Sequence, residues 1–464
     1  MQEGVYSFYT LDLSPQFFAD CKKTNPKGVS FYVERQKFSS KYTSTLTFIG
    51  FAVGLGNVWR FPYMMGEYGG SAFLIVYLLF TIFLAVPALT AEWTLGRATG
   101  KGPIGALSSV LGKTWGRRIG GLLIFTIIVS TSYYLVVIGN IAFTASFSIL
   151  NGFSESTISE FDGQMSNGWL QYVFGLGVLG FAMLVLHLGV NKGIESVSSL
   201  FVPFFGFVIL YLAVNALFLP GALAKVAEFL KPDFSVLTAD HIFAALGQSF
   251  FSVGLAGTIM VIYGSYMPAD QNMMRTASFT ALGDVGAAML ASLFIVPTIL
   301  VFNLDLSQGP TLVFSTLPKL FSVMAGGRVL GSGFLLALCL IAFLSAIGAL
   351  EAIVGSISEE LKLRSSRSIV ILIILLIEAA IMLPSSLNPE IIGVLDLIFG
   401  SGMQMLGCAI AVTTVAWGLG RLATKAQIFG SADRPWHDTY FAWLKWVVPG
   451  VMFIVLVSYL VSNL

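Results

Sequence analysis

Residues 50–62 read GFAVGLGNVWRFP, a run of glycines closed by one asparagine and one arginine inside a segment otherwise apolar over a bilayer's thickness. A backbone N–H or C=O that loses its helical partner in hydrocarbon is costly, so an interrupted helix at that depth is tolerated only where it lines a protein-buried or water-filled cavity. Gly54 and Gly56 therefore predict freed carbonyls at mid-membrane. Such carbonyls suit a small cation, and the freed helix N-terminus suits an anionic ligand group. Gly50 and Gly54 also form a GxxxG pair, a mark of close helix packing, and packing stands as the alternative reading of the glycines. Asn57 and Arg60, within a turn of them, favour a ligand or ion site, because polar groups in a span are expensive and mark function.

Of 464 residues, 56% are hydrophobic and 11% charged, which excludes an ordinary soluble domain. Stretches of about 20 apolar residues predict roughly eleven helical spans, near 42–68, 73–97, 119–150, 169–187, 194–219, 240–266, 279–303, 329–357, 368–384, 390–420 and 440–461. The fold class expected is an all-α integral membrane protein in contact with the lipid bilayer. A barrel is excluded, since its strands would alternate over ~10 residues and these runs are continuous. A second interruption, GQSFFSVGLAGTIM at 247–260, falls in the sixth span. Broken helices at spans one and six point to an inverted-repeat transporter with a central site.

With the N-terminus inside, all Lys and Arg except Arg60, Lys225, Lys231, Lys319 and Arg328 fall on the cytoplasmic side, as the positive-inside rule asks. An odd span count then leaves the C-terminus outside. The net charge of +1, with basic residues spread over the loops of one face, carries no nucleic-acid footprint. Residues 1–34 lack the apolar core and cleavage site of a signal peptide and are expected to be a cytoplasmic tail. Cys21, Cys339 and Cys408, like His187, His241 and His437, are too scattered for a metal motif or disulfide framework. No nucleophile–base pattern stands out, so an enzyme is not expected.

Residues 35–73, RQKFSSKYTSTLTFIGFAVGLGNVWRFPYMMGEYGGSAF, resemble the neurotransmitter:sodium symporter family, in its bacterial amino-acid transporter branch with the LeuT fold. The motifs EWTLGR at 92–97, GVNKGIE at 189–195, KPDFSVLT at 231–238, GQSFFS at 247–252 and SAIGALE at 345–351 extend the match over nearly all of 35–462. The resemblance implies a transporter domain over 35–464 of two inverted five-helix repeats, about 42–219 and 240–420, with an extra helix near 440–461. It also implies a multi-pass protein of the plasma (inner) membrane, a monomer or homodimer, carrying an amino acid with one or two sodium ions.

Carried over residue by residue, the resemblance builds the first sodium site from Ala52, Asn57, Ser252 and Asp284, hard oxygen donors for a hard cation. The substrate carboxylate would complete that site. Around the substrate it sets Ala52, Gly54, Gly56, Ser130, Tyr134, Phe251, Ser252, Gly254, Gly257, Ser345 and Ala349. Gly54 takes the position where monoamine carriers have an aspartate, which implies room for a carboxylate, and Tyr134 would donate to it. Phe251 would cap the pocket. Gly257 stands where the leucine carrier has a large aromatic, and with Ala346 and Ala349 also small, a roomy cavity for a large hydrophobic or aromatic amino acid is expected. Alternatively, Gly257 lets a neighbouring helix approach.

The second sodium site would use Gly50, Val53, Ile341 and Ser345, but the position before Ser345, a Thr or Asp in relatives, is Leu344, so this site is expected to be weak. Chloride-dependent members have Asn where this chain has Asp284 and hold the anion near positions matching Tyr77, Gln248, Ser252 and Ala288. Asp284 brings its own charge, and no chloride requirement is expected. The cytoplasmic gate would be Arg35, Tyr266, Glu351 and Glu359. The outer gate would pair Arg60 with Asp396, whose register reads about one turn early. Proton coupling, or a sensor that keeps the fold without moving solute, are the alternatives.

Overall fold

The computed structural model describes residues 36–304, 312–361, 367–430 and 434–463. The expected tail and Arg35 lie outside the described residues. Among the described residues there is no strand, and nine helices are long and apolar enough to cross a membrane. Two further apolar segments, 41–67 and 239–266, are each broken in the middle.

The first break lies between α1 (Lys41–Ala52) and α2 (Phe61–Glu67). Ser40 caps α1 by accepting the Thr43 N–H at 3.1 Å, satisfying a donor that the helix start leaves free. At the other end Val53 turns extended, with φ −70° and ψ 119°. The chain re-enters helix through a π turn, Gly56–Arg60. Next come α3 (Val86–Thr99), α4 (Lys113–Leu150), α5 (Gly168–His187) and α6 (Ser196–Leu217). The second break separates α7 (Ala239–Ser252) from α8 (Ile259–Tyr266). The remaining long elements are α9 (Met273–Val301), α10 (Gly327–Glu360), α11 (Arg367–Leu387), α12 (Gln404–Thr413) and α13 (Val448–Asn463). Further π turns interrupt the spans at Thr81–Ala85, Val190–Glu195, Asp396–Met403, Thr414–Leu419 and Trp443–Val447.

Small residues set the packing. A methyl built on Gly96 would stand 1.9 Å from the Val261 carbonyl oxygen, and one on Gly264 2.5 Å from that of Trp93, so α3 and α8 touch backbone to backbone. Gly139 and Gly175 do the same for α4 and α5, at 2.5 Å. Close approach of this kind holds membrane helices together where lipid supplies no hydrophobic drive. The spans of α10 and α4 are 72% and 67% buried, against 28% for Val190–Leu217. The first two therefore form the centre, beside both breaks.

Candidate functional site

At the break of span one the polar groups turn on one another. The Gly54 N–H donates to Asn57 Oδ1 at 2.9 Å. The Asn57 Nδ2 donates to Asp284 Oδ1 at 2.7 Å, to the Asp284 carbonyl at 3.1 Å and to Ser252 Oγ at 3.3 Å. Tyr77 donates its hydroxyl to Asp284 Oδ2 at 3.3 Å. Asn57, Ser252 and Asp284 are all buried. Three elements, the broken span one, α7 and α9, thus bring a carboxylate, a hydroxyl and an amide to one point. Ser252 Oγ and the Asp284 carboxylate are hard donors of the kind a small cation takes, and a half-turn of the Asn57 amide, which gives up the bond its oxygen accepts from the Gly54 N–H, would add a third. A buried carboxylate is expensive unless hydrogen-bonded or neutralised, and this one is hydrogen-bonded by Asn57 and Tyr77.

Beside this cluster lies a cavity of about 750 Å³. Ala52, Gly54, Gly56, Asn57, Ser130, Tyr134, Phe251, Ser252, Gly254, Ser345 and Ala349 line it, eleven residues singled out from sequence. Apolar wall comes from Ile127, Ile259 and Met260. A methyl on Gly54 would sit 3.4 Å from Ser345 Oγ and 3.5 Å from Tyr134 Oη, so the space a side chain would fill faces two hydroxyls. The Phe251 ring packs on Gly56, 3.0 Å from the place of a Cβ, and Arg60 lies over that ring at 5.3 Å.

Gly257 requires a correction. It is not part of the cavity wall; a methyl there would lie 2.2 Å from the Gly407 carbonyl oxygen, on α12. Its φ is 70°, which glycine adopts without the penalty other residues meet. The glycine serves helix approach and a left-handed turn, so it gives the pocket no volume.

The side of the break toward α1 differs. Ser345 donates its hydroxyl to the Phe51 carbonyl at 3.1 Å and to that of Val53 at 3.4 Å. A methyl on Gly50 would stand 2.8 Å from Leu344 Cδ1, so Leu344 fills the space beside Gly50. Ile341 is buried on the same helix.

Arg60 and Asp396 line the one cavity, and Asp396 accepts the Tyr133 hydroxyl at 3.0 Å; within the π turn Asp396–Met403 it reaches the wall despite its early register. At the other end Tyr266 donates to Glu351 at 2.6 Å, and Arg367 bonds the second Glu351 oxygen at 2.5 Å. Glu359 accepts the Gly102 N–H at 2.8 Å. Arg35 lies outside the described residues.

Three acidic contacts escaped the sequence reading. Arg367 is the cation that buried Glu351 needs. Glu92, fully buried in span two, accepts the N–H groups of Ala256 and Gly257 at 3.1 and 2.8 Å and so satisfies the second break. Glu195 accepts the Ser39 N–H and hydroxyl, both at 3.0 Å, and the Thr43 hydroxyl. A charged residue at membrane depth is the available signal for Glu92; none identifies the partners of the other two.

A sequence profile of the Sodium:neurotransmitter symporter family matches residues 35–160 and 152–463. An uncharacterized sodium-dependent transporter of Bacillus subtilis, YhdH, is 34% identical over 70% of this chain and 72% of its own. The sodium-dependent neutral amino acid transporter B(0)AT3 of Mus musculus is 27% identical over 56% of this chain and 47% of its own. The crystal structure of MhsT in complex with L-phenylalanine superposes with a TM-score of 0.83 at 28% identity, covering 92% of this chain and all of that one.

Proposed function

The chain belongs to the sodium:neurotransmitter symporter family as a sodium-dependent membrane transporter, and we propose that it moves neutral amino acids of the large apolar or aromatic class together with sodium by alternating access. The observation that carries this reading is the gap at Gly54, faced by the Tyr134 and Ser345 hydroxyls and adjoining the Asn57–Ser252–Asp284 cluster. A substrate carboxylate in that gap would accept from Tyr134 and reach the ion held by Asn57, Ser252, Asp284 and the Ala52 carbonyl. Shared coordination then couples the two loads. Gly56, Ser130, Gly254 and Ala349 would bound the substrate, with the apolar wall taking its side chain. The likeness to MhsT, solved with phenylalanine, supports the side-chain class.

Phe251, Arg60 and Asp396 would close the outer path, and Tyr266, Glu351 and Arg367 the inner one, with the N-terminus cytoplasmic and the C-terminus external. The two broken spans fit paired inverted repeats over 42–219 and 240–420. Uptake of tritiated phenylalanine, leucine and alanine into proteoliposomes, with and without an inward sodium gradient, tests the reading. Sodium should drive accumulation, and Asn57→Leu should reduce it to background while the protein still inserts. Equal uptake without sodium, or normal transport by the leucine variant, refutes it.

A further inference from the structure

We propose that this transporter moves one sodium ion per amino acid, and that Leu344 fixes that number. The inference rests on the sodium-coupled reading above and concerns the inner side of the break in span one. A second cation there would need several oxygens, because sodium leaves water only for a comparable shell of hard donors. Of the carbonyls on the inner side, those of Phe51 and Val53 already accept from Ser345. The side chains against Gly50 are Val202 and Leu344, and Leu344, fully buried, is the one beside Ser345 in sequence. Its methyls cannot ligate, and its departure would leave a cavity in a close-packed wall.

Charge leads to the same count. Asn57, Tyr134, Ser252, Ser345 and Asp284 bond one another or the backbone at the break of span one, and of these Asp284 is the acid. One sodium ion neutralises it, and a zwitterionic substrate adds no net charge. A second sodium ion would stand uncompensated beside leucine at membrane depth, a placement that proteins avoid.

The experiment reads stoichiometry directly. In proteoliposomes whose potential is set with potassium and valinomycin, the potential that nulls net flux of tritiated phenylalanine, leucine or alanine is measured against the sodium gradient. One charge per substrate and a sodium Hill coefficient of one are expected. A ratio of two overturns the inference and leaves sodium-coupled transport standing; absence of any sodium-driven flux refutes the earlier reading instead. Leu344→Thr, which returns one oxygen, should strengthen the second position about ten- to hundredfold and move the ratio toward two. Leu344→Met, which keeps volume without adding a hard donor, should stay at one. A threonine variant that transports at an unchanged ratio and sodium affinity overturns the role given to Leu344; should that variant not fold, the native ratio still decides.

Discussion

At Gly257 one added methyl would overlap the Gly407 carbonyl oxygen, 2.2 Å away, in a backbone with φ 70°. Overpacking of this sort costs about 1–3 kcal/mol, and the left-handed conformation adds about 1–2 kcal/mol for any other residue. Gly257→Ala is therefore expected to lower thermal stability in detergent sharply, with the substrate order of the surviving protein unchanged. A stable alanine variant with an altered order would return Gly257 to the pocket. The resemblance implies a glycine where the leucine carrier has a large aromatic; it does not show that the vacated room goes to a helix 150 residues further along. Gly54 was legible for the opposite reason, since its neighbours Asn57 and Arg60 are local and costly at that depth.

The N-terminal end of α1 is held from two sides. Glu195 receives Ser39 and Thr43, and the Val190 N–H donates to Gln36. Opposite, the Phe38 N–H donates to the Tyr266 carbonyl at 3.2 Å and Ser44 donates to Gln271 at 3.0 Å. The Lys41–Asp270 pair at 2.6 Å is exposed and adds little. Hydrogen bonds to a buried carboxylate contribute about 1.5–3 kcal/mol, so Glu195→Ala should favour release of α1. A cysteine at Ser44, in a background without Cys21, Cys339 and Cys408, is expected to react with a permeant thiol reagent about tenfold faster or more, since about 1.4 kcal/mol is a factor of ten. Unchanged labelling would mean that α1 is held by packing alone. Both helix breaks could be read from glycines and polar residues in sequence. The latch could not, because Glu195 meets Ser39 across 156 residues and hydrophobic period carries no information on such pairs. Likewise, the cost of burying Glu351 announces that a partner exists without naming Arg367.

Over the whole molecule, the end where α1 starts is closed by Tyr266, Glu351 and Arg367, while the far side is hollowed by the cavity that Arg60 and Asp396 line. A loaded carrier must cross the membrane with its buried charges balanced. At about 4 Å and an effective dielectric near 20, one charge pair is worth about 4 kcal/mol, enough for Asp284 to do what a bound anion would otherwise do. Uptake in gluconate is accordingly expected to match uptake in chloride, and a strong loss on replacing chloride would remove Asp284 from that role. The π turns at Gly56–Arg60, Thr81–Ala85, Val190–Glu195, Asp396–Met403, Thr414–Leu419 and Trp443–Val447 bear on descent. Each takes one more residue than an α turn, so gain or loss of a residue there is absorbed within that turn. Anywhere else in a span the same change would swing every later side chain by about 100°. Single-residue insertions and deletions among kindred chains should therefore collect at these six places, and alignments that forbid gaps inside spans will misphase the wall beyond them.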